Sequence, residues 1–318
     1  MNQQNLQILL QRLQEQAARA LVGQSSTIEL LLVALIVRGH VLLEGPPGTA
    51  KTLIAKTLAR LVNAQFGRIQ FTPDLMPSDV VGTTVFDLQS NQFNLQRGPI
   101  FTQILLADEI NRAPAKTQAA LLEAMEERQV TIEGDTQTLP EPFIVIATQN
   151  PIEMDGTYPL PEAQLDRFLF KILVDYLPRK AETEVLRRYH RGFNANNLDA
   201  LNLKPVLRPE HLAQIRKIVQ QVRVEDGVLS YISAITHATR SGAELAHGAS
   251  TRAGVALLLA SKALAALRGR DYVSPDDIKM LVAPTLRHRV YLRPEAEIEG
   301  LNADAVFQRL LSQLEVPR

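Results

Sequence analysis

Lysine and threonine stand side by side at positions 51 and 52, closing the stretch EGPPGTAKT (44–52). That pair is what a phosphate-binding loop uses to hold a phosphate chain and its metal. A triphosphate needs several backbone N–H groups turned inward and a positive helix end behind them, which a glycine-containing turn between strand and helix supplies. Here Gly45 and Gly48 give the turn its freedom, Pro46 and Pro47 stiffen it, and Thr49 and Ala50 lead into the pair. Lys51 would reach the β and γ phosphates of ATP as a mobile point charge, and Thr52 would ligate a bridging Mg²⁺. The motif G-x-x-x-x-G-K-[ST] carries glycine where this chain has Ala50. Alanine can stand there if its φ is negative, as on entering a helix, so a helical backbone at 50 is the condition for a nucleotide in this loop. The competing reading is an ordinary turn with a coincidental Lys-Thr.

Hydrolysis asks for more than a cradle: a carboxylate near the metal, a group that orients water, and positive charge against the γ-phosphate. ILLADEINR (104–112) offers the first two. Asp108 ends an apolar run, where it would reach the metal's water shell, and Glu109 beside it would polarise the attacking water. IATQN (146–150) ends the next apolar run and puts Asn150 at the same edge, able to hold the water or touch the γ-phosphate; before Pro151 it is equally a turn asparagine.

These residues need a sheet to bring them together. HVLLE (40–44), RIQF (68–71), QILLAD (103–108), FIVIAT (143–148) and FLFKILV (168–174) read as strands buried on both faces, with helical stretches such as 52–62 and 114–129 between them. That alternation predicts an α/β fold, a mostly parallel sheet covered by helices on both faces, with ligands at the strands' carboxyl ends. Two β-hairpins interrupt it, one around QSNQ and one turning at Gly134-Asp135. Beyond residue 185 the chain becomes polar and then helical by pattern (209–222, 226–240, 251–269, 274–288), the last with a Ser274 cap and Pro275 in its first turn. We expect a nucleotide-binding core with its N-terminal helix over 1–190 and an all-helical lid over 191–318.

Composition narrows the function. In 318 residues, 46% hydrophobic, there is material for two domains. Lys+Arg and Asp+Glu are both 34, so no global charge draws the chain to nucleic acid or an anionic membrane. Cysteine is absent, which removes thiol nucleophiles and cysteine-bound zinc, and the six histidines form no H-x-x-x-H pair. MNQQNLQILLQRLQEQ reads as an amphipathic helix without signal-peptide features, and the longest apolar run, LLLVALIV (30–37), is well short of the roughly 20 residues of a membrane span. A cytoplasmic protein without membrane insertion is expected.

GPPGTAKT, LLADEINRAPAKTQAALLEAMEE, the stretch from IATQNPIE through GTYPLPEAQLDRF, and GASTRA together resemble the MoxR family of AAA+ ATPases, from about Val22 to near Arg289. Alanine at position 50 is the form that family uses. The resemblance implies a chaperone-like ring, a homo-oligomer expected to be a hexamer, that hydrolyses ATP with Mg²⁺ at subunit interfaces to remodel or activate partner proteins. It implies Arg167 of EAQLDRF as an arginine finger for a neighbour's ATP and Arg252 of STRAG as the second sensor. On the residues alone, Arg167 is equally a surface arginine and Arg252 a solvated first-turn residue. Arg112 of INRAP is open between a subunit contact and a structural ion pair. The family also implies that the hairpins face a central pore, and that clients include proteins with a von Willebrand factor A domain. Two alternatives stand beside this reading. One is a nucleic-acid-associated ring ATPase, disfavoured by the neutral charge and 5% aromatics; the other is a nucleotide-gated scaffold with little turnover, which would not need Glu109, Asn150 and Arg167 together.

Overall fold

A computed structural model describes residues 3–89, 91–151 and 157–317; part of the stretch after Asn150, Ile152 to Gly156, and the hairpin residue Ser90 lie outside them. The chain opens with α1 (Gln3–Ala20), whose leucines 6, 9, 10 and 13 fall on one buried face, and α2 (Ser25–Ile36), buried almost all round as its apolar run requires. β1 (His40–Glu44) runs into the phosphate loop and α3 (Lys51–Leu61). Next come β2 (Phe66–Gln70), the short α4 (Pro77–Val81), the hairpin β3 (Gly82–Asp87) and β4 (Gln92–Arg97), then β5 (Ile104–Asp108) and α5 (Ala115–Glu127). A second hairpin, β6 (Gln129–Ile132) and β7 (Asp135–Thr138), precedes β8 (Ile144–Gln149), the single-turn α6 (Glu162–Leu165), β9 (Phe168–Leu173) and α7 (Arg179–His190). The remainder is almost wholly helical: α8 (Leu212–Gln220), α9 (Asp226–Ser241), α10 (Thr251–Leu267), α11 (Pro275–Leu286), α12 (Pro294–Ile298) and α13 (Ala303–Gln313), with one small antiparallel pair, β10 (Leu245–His247) and β11 (Tyr291–Leu292).

Five strands form one parallel sheet in the order β2-β5-β8-β1-β9. The apolar runs of β1, β5 and β8 are buried on both faces as expected, whereas β2, an edge strand that starts at Phe66, buries Ile69 and leaves Arg68 and Gln70 exposed. After β1 the chain crosses through α3 to the far edge of the sheet, so the carboxyl end of β1 is where the winding reverses. Loops open there, and the phosphate loop occupies that crevice. One buried apolar cluster runs without a break from Leu6 and Leu31 through Ile54 to Leu257 and Leu281, so α1 and α2 share a core with the C-terminal helices. A second lies on the other sheet face, built on Phe71, Leu105, Leu121 and Val145.

Three local expectations change. The second hairpin turns at Glu133-Gly134, because Ile132 pairs with Asp135. Both turn residues have positive φ, 51° and 94°, the geometry of a two-residue turn with glycine second. Helix α7 was not anticipated, since none of its residues is buried and its short apolar stripe, Ala181, Val185, Leu186 and Tyr189, is set among charged residues. The predicted helix 209–222 begins as a single 3₁₀ turn, Pro209–His211, before α8. The cap of α11 is as expected: Asp277 accepts from the Ser274 backbone N–H at 2.9 Å and from its hydroxyl at 2.9 Å.

Candidate active site

The loop after β1 has two positions that only glycine fits. At Gly45 a Cβ would run into the carbonyl oxygen of Val174, and Gly48 has φ +81°. Ala50 departs from expectation: it precedes α3 with φ 65° and ψ 23°, in the left-handed region rather than a helical one. The tight entry from loop to helix demands this of whatever residue stands there. A methyl group costs about 1–2 kcal/mol in that region, so alanine takes up the conformation of the motif's glycine under strain. The Thr49 hydroxyl donates to the Pro46 carbonyl at 2.9 Å and pins the turn.

The Lys51 ammonium lies over the loop, donating to the carbonyls of Gly45 and Pro46 at 2.7 Å each. Burial pushes its pKa below the ordinary lysine value, while the carboxylates of Asp108 and Glu109 oppose the shift, a sign that all three face one space. That space is a cavity of about 400 Å³ whose walls include Lys51, Thr52, Asp108, Glu109 and Asn150. Gly48, Thr49 and Ala50 separate it from a second cavity of about 430 Å³, walled by Val22, Tyr176, Leu186, Tyr189 and Phe193. A polar compartment thus opens beside an apolar, aromatic-lined one, and the loop belongs to both.

The two acids are held differently. Asp108, almost fully buried at the end of β5, accepts from the Thr148 hydroxyl at 2.6 Å and from Arg68 Nη2 at 2.8 Å. Glu109 turns the chain with φ 58° and ψ 50°, its N–H donating to Thr148 Oγ1 at 2.9 Å. Its carboxylate takes Gln70 Nε2 at 2.8 Å and pairs with Arg112 Nε at 3.1 Å. Arg112 therefore has an ion pair inside its own chain. Arg68 and Gln70 escaped the sequence reading. Their signal was the R-I-Q alternation in β2, which puts both polar side chains on one face of the strand beside β5, with Gln70 in register with Asp108.

Arg167 and Arg252 lie elsewhere; neither walls the polar cavity. Phe168, next to Arg167, pairs with His40, at the opposite end of β1 from the phosphate loop, roughly 16 Å away along the strand. Arg252, in the first turn of α10, donates to Glu126 at 2.9 Å and approaches Asp166 at 3.6 Å; Arg167 approaches Glu126 at 3.7 Å. Arg289, nearly fully buried, completes the cluster with a 2.6 Å bond to Asp166. Burial lowers its pKa and Asp166 opposes the shift. The structure brings the two sequence-predicted arginines to each other and away from the phosphate loop.

Among the described residues no group of three or more His, Asp or Glu could cage a metal. Magnesium does not need one: it keeps several waters, takes phosphate oxygens, and asks one or two donors of the protein. Thr52 and Asp108 both wall the polar cavity and fit that role.

A parallel α/β sheet with a phosphate loop at its switch point, an acid pair on the neighbouring strand and a helical C-terminal region defines an ATPase of the AAA class. Residues 40–170 match the family described as ATPase family associated with various cellular activities (AAA), and 237–310 match the AAA lid domain. The chain is 43% identical to Chaperone MoxR1 of Mycobacterium tuberculosis, over 97% of this chain and 82% of that protein. It is 32% identical to Protein MoxR of Paracoccus denitrificans, over 87% and 86%. A crystal structure from Cytophaga hutchinsonii superposes with a TM-score of 0.90 at 40% identity, over 99% and 97%. The chain belongs to the MoxR family of AAA+ ATPases. No helix among its described residues is long and apolar enough to cross a membrane.

Proposed function

We propose that the chain works in the cytoplasm as a ring, a hexamer by family resemblance, with MgATP between neighbouring subunits and water attacking the γ-phosphate. The observation that carries this reading is the separation of the arginines from the phosphate loop. Arg167 and Arg252 lie at the far end of the sheet and neither walls the polar cavity, which supports a role at another copy's cavity. Lys51 and the loop N–H groups would bind the phosphates, Thr52 and Asp108 would hold magnesium, and the base would lie in the aromatic-lined cavity. Magnesium, when bound, supplies charge neutralisation across the β and γ phosphates. Glu109 would accept the proton of the attacking water, Asn150 would orient that water, and Arg167 of a neighbour would stabilise the charge that builds up.

The division between core and lid is placed near residue 190, and turnover would shift one against the other. The first hairpin carries Leu88 and Phe93, 87% and 72% exposed, with the Phe86 and Phe93 rings 5.0 Å apart. That apolar tip supports contact with a protein client, for which a von Willebrand factor A domain partner is the family's suggestion. The test is subunit mixing. Arg167→Ala and Glu109→Gln, each nearly inactive alone, should regain turnover when blended, because hybrid interfaces pair an intact cavity with an intact arginine. No recovery at any ratio would defeat the proposal.

A further inference from the structure

We infer that Arg289 is a positioning residue for Arg167: it fixes the backbone on both sides of that arginine to the end of α11, so that the lid sets where the arginine points. The inference rests on the reading of Arg167 as acting on a neighbour's nucleotide.

The argument begins with an irregularity in the sheet. The pairing of β1 with β9 shifts between His40↔Phe168 and Val41↔Phe170, leaving Leu169 as an extra residue. Such bulges bend the strand that carries them, and Arg167 stands two residues before this one, where the chain enters β9. β9 is an edge strand, so carbonyls displaced from the ladder need other donors. One guanidinium supplies them. Arg289 donates to the Asp166 carboxylate at 2.6 Å and the Asp166 carbonyl at 3.0 Å, and to the carbonyls of Phe168 at 2.8 Å and Leu169 at 3.3 Å. Its fifth bond, 2.6 Å to the Thr285 carbonyl, ties that set to α11. Residues 166, 168 and 169 are thereby fixed while 167, between them, is left to project.

The neighbours of Arg289 repeat the grip. His288 faces the Phe168 carbonyl at 2.8 Å, which fixes its proton on Nε2, and Arg287 donates to the Lys171 carbonyl at 3.1 Å. Three consecutive residues at the end of a C-terminal helix thus hold the start of β9. A buried guanidinium is expensive to desolvate, and an apolar residue of the same volume commonly serves stability as well. What an apolar residue cannot do is hold several carbonyls in a fixed fork. Asp166 adds a second link, because its other oxygen faces Arg252. Arg252 and Arg167 also share Glu126. A shift of α10 or α11 therefore reaches Arg167 through two carboxylates and the fork.

The experiment uses the full chain with Arg289→Met and, because that site is buried, Asp166→Asn as a second variant that keeps the arginine. A fluorescent ATP analogue should bind both within about twofold of the parent, while kcat at saturating ATP falls about 10- to 100-fold, the scale of a small misplacement of a catalytic group. Blended with Glu109→Gln, each variant should regain turnover as Arg167→Ala does, since its own cavity is intact and receives a well-placed arginine. Damage that was merely structural would weaken the analogue's binding and leave the blend dead. The inference is overturned if Asp166→Asn turns over at the parental rate while Arg167→Ala is slow, or if Arg167→Ala blends recover and these do not. Parental turnover by Arg167→Ala would instead remove the reading of Arg167, and this inference with it.

Discussion

The phosphate cavity and the arginine cluster are both ionic, and they are built to opposite plans. At the cavity the three charges of the phosphate loop and the acid pair have partners within the chain: Lys51 on two carbonyls, Asp108 on Arg68 and Thr148, Glu109 on Gln70 and Arg112. In the cluster, Arg167, Arg252 and Arg289 share two carboxylates, Glu126 and Asp166. Arg289 is saturated by its five bonds, so the surplus positive charge falls on the two outer arginines. Arg252 is about half exposed, and among the described residues Arg167 has a long ionic contact to Glu126 at 3.7 Å. A balanced cradle is a place for a ligand to enter; a surplus of one sign on a different face is a place to meet an anion held by something else. On the proposed reading one chain carries two halves of a site that lie apart, which is a geometry for rings or filaments of head-to-tail copies.

Removing one charge from each region tests this most severely. Arg167→Ala should lower kcat by about 10³ to 10⁵ with nucleotide affinity close to the parent's, because the lost cation acts mainly in the transition state. Lys51→Ala should abolish binding or nearly so, measured by calorimetry with ATP and magnesium. If the two variants lost affinity alike, the regions would not be functionally distinct. Next in size is Glu109→Gln, which should bind nucleotide normally and lose turnover by about 10² to 10⁴, the usual worth of a general base. Hydrolysis at the parental rate would take the role away from Glu109 and leave its left-handed backbone without a function.

How much of this could be read from the sequence follows the physics of each part. The central strands were legible because a parallel sheet covered on both faces makes continuous apolar runs, and 103–108 needed only a one-residue trim to Ile104–Asp108; at the edge, β2 alternates and runs over Phe66–Gln70 rather than 68–71. The loop and acids were legible because their chemistry demands adjacent residues. Helix α7 was not, since its few apolar side chains stand among charged ones and none is buried, although Tyr189 on it walls both cavities. Nor was Arg289: four bonds from one side chain to residues 120 to 123 positions away, three of them to backbone carbonyls, leave no trace in spacing. Arg252 could be picked out, but its place beside Arg167 depends on how α10 packs on the core.

A smaller effect probes the framework on which both regions hang. His40 opens β1, between the phosphate loop and Phe168, and is fully buried with Val145 N–H donating to Nδ1 at 2.9 Å and Nε2 facing the Met125 carbonyl at 3.0 Å. Both ring nitrogens are engaged by the neutral form, and burial lowers the pKa from 6.5 to about 4. The unfolded chain binds this proton below pH 6.5 and the folded one only near 4. Stability therefore falls as pH drops through that window, by about 1.4 kcal/mol per pH unit from this residue. His288, lowered for the same reason, adds to the slope. Denaturant melts at pH 7.0, 6.0 and 5.0 should show the loss, and a flat profile would mean that His40 is hydrated.

The smallest expected effect concerns Ala50. Relieving its left-handed strain with glycine gains about 1–2 kcal/mol, while the greater freedom of glycine in the unfolded chain takes back about 0.4–1. Ala50→Gly should thus stabilise the protein by about 0 to 1.6 kcal/mol, visible as a slightly higher denaturant midpoint at unchanged slope. Nucleotide affinity should stay within a few fold, because glycine adopts φ 65° more readily than alanine and the inward N–H groups keep their direction. A destabilised variant would mean that the backbone at 50 has negative φ in solution, the conformation expected for a residue entering a helix. The loop would then reach Lys51 by a path other than the one that sets this cavity's shape.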